Sequence, residues 1–324
     1  MLPATPPTTL IQIITSSASR RQSGVRLDLA GVTVVSDTST AWLEPFTRGT
    51  ASLTPVLLER SEKLRVPAIS RTTFEGPAWL ARAVRDVTCR DDGDTHRLEC
   101  GVGRTFVVGP GGAWIVAEPL SAGPLDQVEL EILFGAALLV ALAARGSFSL
   151  HASAVLTGGG MAAFVGVSGA GKSTVAAPAA AGWQRLGDDI LPIADRASRV
   201  VALPRFPQLK LPRDEQYPAG LPEAIPLRAV YEIDAGRERR EVSIEPLSPR
   251  DGALVLLAHT VAARLFGARL LEQHLGFCAA AAARLRVCRL GYPRLLSALP
   301  AVRAAVTADL AASLGERRGA DALS

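Results

Sequence analysis

MAAFVGVSGAGKST, Met161 to Thr174, is the stretch on which the reading of this chain turns. Ala162, Ala163, Phe164 and Val165 form an apolar run of strand length. Gly166-Val167-Ser168-Gly169-Ala170-Gly171-Lys172-Ser173 follows it and fits G-x-x-x-x-G-K-[ST] without a gap. Such a loop binds phosphate for physical reasons. Its glycines let the backbone curl with N–H groups inward around phosphate oxygens, and a helix follows whose first amides favour anions. Lys172 is spaced to reach the β- and γ-phosphates and the Ser173 hydroxyl to ligate Mg²⁺, with Thr174 closing the nucleotide-binding run. Only three of the 35 basic residues are lysines, Lys63, Lys172 and Lys210, so a lysine at this position is not background. The competing reading is a glycine-rich turn with no ligand, and a strand before the loop with a helix after it separates the two.

Working outward, small residues after Ser173 predict a helix toward Ala181, with Pro178 inside it as a kink or an early stop and Gly182 at its end. Trp183–Leu186 and Ile190–Ile193 are strand-like on either side of Gly187-Asp188-Asp189. The Asp pair follows Lys172 so closely that the chain is expected to return at once to the sheet, setting two carboxylates beside the metal and the γ-phosphate. One acid would hold Mg²⁺, with Asp188 placed there beside Ser173. The other, with Asp189 slightly favoured, would take the proton of a hydroxyl acceptor. Upstream, Phe148–Leu156 reads as a single strand carrying His151, and Gly158–Gly160 as the turn into the loop strand. A satisfied core histidine on a strand is the competing reading, and its position one strand before the loop favours the site.

The rest of the chain supplies context. Residues 1–23 are rich in Pro, Thr and Ser and read as a mobile or loosely packed lead-in. Residues 24–120 read as a β-rich region. Val25–Leu29 and Val32–Val34 alternate about Gly31, Val56–Leu58 and Leu64–Ile69 are loops or edge strands, and two hairpins turn at Asp91–Asp94 and Gly109–Gly112. Asp91, Asp92 and Asp94 have the look of a calcium loop without its later ligands, so a solvated turn is expected. Asp126 is placed to cap a helix from Gln127 to Arg145 that opens the main domain, residues 121–314. Downstream come strands at Arg199–Leu203, Leu227–Ile233 and Glu241–Ile244. Helices follow from Ser248-Pro249 to Phe266, near Ala268–Leu285 and over Tyr292–Leu314, with a polar tail at 315–324.

Composition narrows the classes. A formal net charge of +4 on scattered arginines gives no nucleic-acid footprint, and none is expected as partner. The most apolar helix, Ile132–Ala144, is too short to cross a bilayer and Leu10–Ile14 is too short for a secretory signal, so a cytoplasmic protein without a membrane partner is expected. Cys89, Cys100, Cys278 and Cys288 lack zinc spacing and read as reduced thiols.

The segments LHASAV, GGGMAAFVGVSGAGKST and GWQRLGDDILPI together resemble the C-terminal catalytic domain of HPr kinase/phosphorylase. They are closer still to the divergent HPr-kinase-like proteins found with lasso-peptide and other peptide-modification systems, whose strand reads H-A-S-A. Leu203-Pro204-Arg205-Phe206-Pro207-Gln208-Leu209-Lys210-Leu211 is similar to a proline-flanked stretch of that subgroup. The resemblance spans about residues 146–300 and implies an α/β phosphate-loop kinase domain. It makes His151 an active-site histidine, Lys172 the phosphate lysine, Ser173 a Mg²⁺ ligand, and Asp188 and Asp189 the base and the metal-side acid. The family's E-I-R-G-L-G glutamate and P-G-R-N arginine have no matching string here. Asp214 and Glu215 are the substitutes considered for the first, and Arg205, Lys210 and Arg294 for the second. The expectation is an ATP- and Mg²⁺-dependent transfer of the γ-phosphoryl group to a serine or other hydroxyl of a peptide or protein, with phosphorolysis in doubt. A nucleotide-sensing regulatory module and a small-molecule kinase are the alternatives.

Overall fold

The computed structural model describes residues 10–14, 23–37, 44–52, 71–101, 103–119, 124–158, 160–177, 182–208, 222–236 and 238–321. The expected runs at 56–58 and 64–69, and the candidates Lys210, Asp214 and Glu215, lie outside them. The protein is a mixed α/β molecule with two large sheets. It folds as two units, residues 1–148 with 262–274, and residues 149–261 with 275–324.

The first unit is built on nine strands: β1 (Leu10–Ile14), β2 (Ser23–Leu29), β3 (Val32–Ser36), β4 (Thr47–Ser52), β5 (Arg71–Leu80), β6 (Ala83–Asp91), β7 (His96–Cys100), β8 (Thr105–Val108) and β9 (Trp114–Glu118). Their spatial order is β4-β2-β3-β1-β9-β8-β7-β6-β5. The three expected hairpins are present. Ala30 and Gly31, both at positive φ, make the tight β2–β3 turn. At the β6–β7 turn the acids serve the backbone: Asp91 accepts from the Gly93 amide, and Asp92 from the amides of Asp94 and Thr95. Leu10–Ile14 departs from the expected lead-in. It is the strand that joins the two halves of the sheet, parallel to both β3 and β9, because its buried isoleucines Ile11 and Ile13 find no other place out of water.

The helix after Asp126 forms, interrupted by a π-helical turn. Asp126 and Glu129 close the capping box. The chain then runs through α1 (Gln127–Glu131), a π-helical turn (Ile132–Ala137) and α2 (Leu138–Ala143). This segment lies in the first unit. Polar ties fix it there: Glu129 accepts from the Arg104 amide at 3.0 Å, and Arg145 donates to the carbonyls of Leu10 and Gly112 at 2.7 and 3.1 Å.

The second unit holds the mixed sheet with the loop strand near its centre. Its strands are β10 (Ser147–Leu150), β11 (Ser153–Thr157), β12 (Gly160–Val165), β13 (Gln184–Asp188), β14 (Leu191–Arg196), β15 (Arg199–Ala202), β16 (Ile225–Gly236), β17 (Ser243–Pro246) and β18 (Arg286–Pro293). The main path is β10-β14-β15-β16-β12-β11-β13, and β18 pairs with β16 and β17. Strands β12, β16 and β18 are parallel to one another. The helices are α3 (Lys172–Ala176), α4 (Pro249–Ala258), the part of α5 (Ala268–Ala282) from Leu275 on, and α6 (Leu299–Asp321).

Alternation along β12 sorts its side chains to two cores. Met161, Ala163 and Val165 pack with Val255 and Leu256 of α4 and with Cys278 and Ala281 of α5. Ala162 and Phe164 pack with Val175 of α3 and with Val302, Val306 and Leu310 of α6, where Phe164 stacks between Trp183 and Tyr231. All four cysteines are buried and free.

Four further expectations change. The strand expected over 148–156 is broken at His151 and Ala152. The helix expected to reach Phe266 stops at Ala258, because the next residues pair back: His259 O accepts from the His151 amide and Val261 N donates to Ser149 O. β18 forms where no strand was expected, and the last helix continues through the expected tail to Asp321.

Candidate functional site

Strand β12, the loop and α3 follow one another as the pattern requires. Gly166 and Gly171 sit at φ 152° and 102°, where a side chain is strained. A Cβ on Gly166 would meet the Ala170 methyl at 3.1 Å, and one on Gly171 the Tyr292 hydroxyl at 3.1 Å. Lys172 folds back over the loop, its Nζ donating to the carbonyls of Gly166 and Val167 at 2.8 and 3.3 Å. Helix α3 is only five residues long, since Ala177 precedes Pro178 and takes ψ 135°. Its terminal carbonyls would be orphaned, but the buried Arg303 of α6 donates to Thr174, Val175 and Ala177 at 3.2–3.3 Å.

The loop opens on a cavity of about 310 Å³ lined by His151, Ser153, Ser168, Gly169, Gly171, Lys172, Ser173, Thr174, Asp188 and Asp189. Three pieces of chain thus bring together the residues expected from sequence. Gly166, Val167 and Ala170 belong to the loop without lining the cavity.

The two acids differ in surroundings. Asp188, at the end of β13, is 7% exposed, and its Oδ1 accepts from Ser173 Oγ at 2.6 Å and from Ser153 Oγ at 2.5 Å. Arg185 Nη1 stands 3.7 Å from Oδ2, and the Asp188 amide donates to Gln208 Oε1 at 2.8 Å. Asp189 is open to the cavity, its carboxylate 3.4 Å from His151 Nε2. Its φ of 145° is rare for a residue with a side chain, and its amide is held by Ala152 O at 3.0 Å. The break at His151 and the strain at Asp189 are two sides of one junction, where the β11–β13 ladder ends at the Ser153–Asp188 pair. An acid whose backbone is held in a costly conformation at a cavity wall is aimed there by the fold.

Of the basic candidates, Arg294 reaches the loop, its Nη2 donating to Gly169 O at 2.8 Å, while Arg205 does not line the cavity. Sequence reasoning missed Ser153 and Gln208 as partners of Asp188, although both stand in quoted motif segments. It also missed Glu232, which lies opposite Val165 on β16, faced by His259 and Arg289. No local pattern marks that glutamate, because its place depends on which strand lies beside β12.

Among the described residues no three His, Cys, Asp or Glu side chains gather as a metal cage. Mg²⁺ does not need one: it keeps waters and takes one or two protein oxygens together with substrate phosphates. The Ser173 hydroxyl and the Asp188 carboxylate, two hard donors 2.6 Å apart at the head of the loop, fit that ion. No helix among the described residues is long and apolar enough to cross a membrane. Neither models of known protein families nor curated proteins give a match to the chain.

Proposed function

We propose that this protein binds ATP with Mg²⁺ and transfers the γ-phosphoryl group to a hydroxyl, with a peptide or protein as the acceptor. The observation that carries the reading is the convergence of the phosphate-pattern lysine and serine, both aspartates and His151 on one cavity. In this reading the loop amides and Lys172 hold the β- and γ-phosphates, while Ser173 and Asp188 take the metal. Bound Mg²⁺ would neutralise charge developing on the phosphates. Asp189, solvent-facing and beside His151, orients the acceptor hydroxyl and takes its proton. Arg294, already at the loop, supplies a further cation near the phosphates. The likeness of the three motif segments to HPr-kinase-like proteins supports a peptide hydroxyl over a sugar or an organic acid as acceptor. Catalysis of this kind is mostly positioning, which suits side chains fixed by backbone junctions and buried hydrogen bonds.

Incubating the protein with Mg²⁺-ATP and a panel of serine-containing peptides, sugars, alcohols and organic acids tests this. A mass increase of one phosphate on a peptide, lost with Lys172→Ala, supports the assignment. ATP binding without transfer to any acceptor points instead to a nucleotide-sensing module.

A further inference from the structure

Asp189 and Ile190 are the whole connection between β13, which ends at Asp188, and β14, which begins at Leu191. The two strands are not neighbours in the sheet: β13 pairs with β11 and β14 with β15, so the chain leaves one ladder for another within two residues. The cost falls on Asp189. Its φ of 145° is one that a residue with a side chain abandons unless its surroundings hold it there. The β11–β13 ladder ends one residue too early, at the Ser153–Asp188 pair, and beyond it the Ala152 carbonyl accepts from the Asp189 amide at 3.0 Å.

Gln208 holds the turn from both flanks. Its Oε1 accepts from the Asp188 amide at 2.8 Å and its Nε2 donates to the Ile190 carbonyl at 2.8 Å, so one carboxamide spans the residue before Asp189 and the residue after it. The carboxamide is itself fixed. Nε2 also donates to Phe206 O at 3.1 Å, and the residue is 1% exposed, which leaves little room for water to replace these bonds. We propose that Gln208 is a positioning residue for Asp189, clamping the strained turn so that the carboxylate stays at the cavity wall, toward an acceptor hydroxyl. The inference rests on the reading of Asp189 as proton acceptor given above and adds the group that aims it. Asp188 does not depend on the clamp for its own carboxylate, which the hydroxyls of Ser153 and Ser173 hold.

The test is a double-mutant cycle on single-turnover phosphoryl transfer by the full chain, from Mg²⁺-ATP to a serine peptide that the parent phosphorylates, with ATP calorimetry and thermal melting of each variant alongside. Gln208→Met keeps the length of the side chain and removes both hydrogen bonds. Well below its melting temperature it is expected to transfer about 10–100-fold more slowly, with ATP affinity and Mg²⁺ requirement within about threefold of the parent. Placed on Asp189→Asn, the same substitution should cost less than about threefold more, because a clamp has nothing to aim once the acceptor is gone. A merely structural role predicts a loss that adds in full to that of Asp189→Asn, and a role through Asp188 predicts a higher Mg²⁺ requirement. Either result, or an unchanged rate in Gln208→Met, overturns this inference and leaves the kinase reading standing. If the parent phosphorylates no peptide, that reading falls and this one with it. Should Gln208→Met fail to fold, Gln208→Asn, which keeps a carboxamide too short to span both flanks, runs the same cycle.

Discussion

The Ser173 hydroxyl donates to Oδ1 of Asp188 at 2.6 Å, so the last residue of the phosphate pattern and the first of the acid pair meet at one oxygen. Ser153 donates to the same atom, and Gln208 holds the Asp188 amide. In the proposed reading this carboxylate is fixed in advance on the metal side, whereas Asp189 next to it lines the cavity.

Asp188→Ala should therefore raise the Mg²⁺ concentration needed for half-maximal activity by about 10–100-fold, since a metal-side oxygen and its oriented neighbours are lost together. A Mg²⁺ titration at saturating ATP reads it. An unchanged Mg²⁺ requirement would remove Asp188 from the metal.

Asp189→Asn keeps the shape and removes the proton acceptor. The expected result is a fall in kcat of about 10²–10⁴-fold, with ATP affinity within about threefold of the parent because no loop contact is touched. Single-turnover transfer together with equilibrium binding separates the two effects.

Gln208→Ala should cost about 1–3 kcal/mol of stability, because it leaves the buried Asp188 amide without its acceptor. Arg303→Met should cost about 2 kcal/mol by stripping the donors from the end of α3. In denaturant titrations both midpoints should fall, and Arg303→Met should weaken ATP binding as well, since α3 begins at Lys172.

Stability should depend on pH through the buried histidines. Burial lowers the affinity of His96, His259 and His274 for a proton, so the unfolded chain binds more protons than the native one near and below pH 6.5. Stability is then complete above about pH 7 and falls as pH drops through about 6.5 and lower. His274, between the rings of Phe148 and Phe266 at 4.9 and 5.7 Å, gives the cleanest handle. His274→Phe should flatten part of the slope in melting curves from pH 8 to 5, and an unaltered slope would contradict the assignment.

Much of this was legible from local chemistry. The phosphate pattern, the Asp126 cap and the hairpin turns act over a few residues, and each formed as its residue types dictate. What was hidden depended on distant partners. Leu10–Ile14 looked like an apolar scrap in a polar lead-in, yet it is a strand because β3 and β9 leave it a slot. Arg286–Pro293 carries two arginines, a glycine and a proline, and only its parallel place beside β16 makes it a strand. Within the site, His151, Lys172 and the Asp pair were visible through motif spacing. Gln208 and Glu232 were not, since each meets its neighbours only through the pairing that the topology supplies.

The central claim is that the loop holds a triphosphate through Lys172. Calorimetric titration of Mg²⁺-ATP into the parent and Lys172→Ala proteins tests it most directly. Saturable one-to-one binding by the parent, weakened by about a hundredfold or more in the variant, is the predicted result. Equal affinity in the two proteins, or no binding by a folded parent, would contradict it.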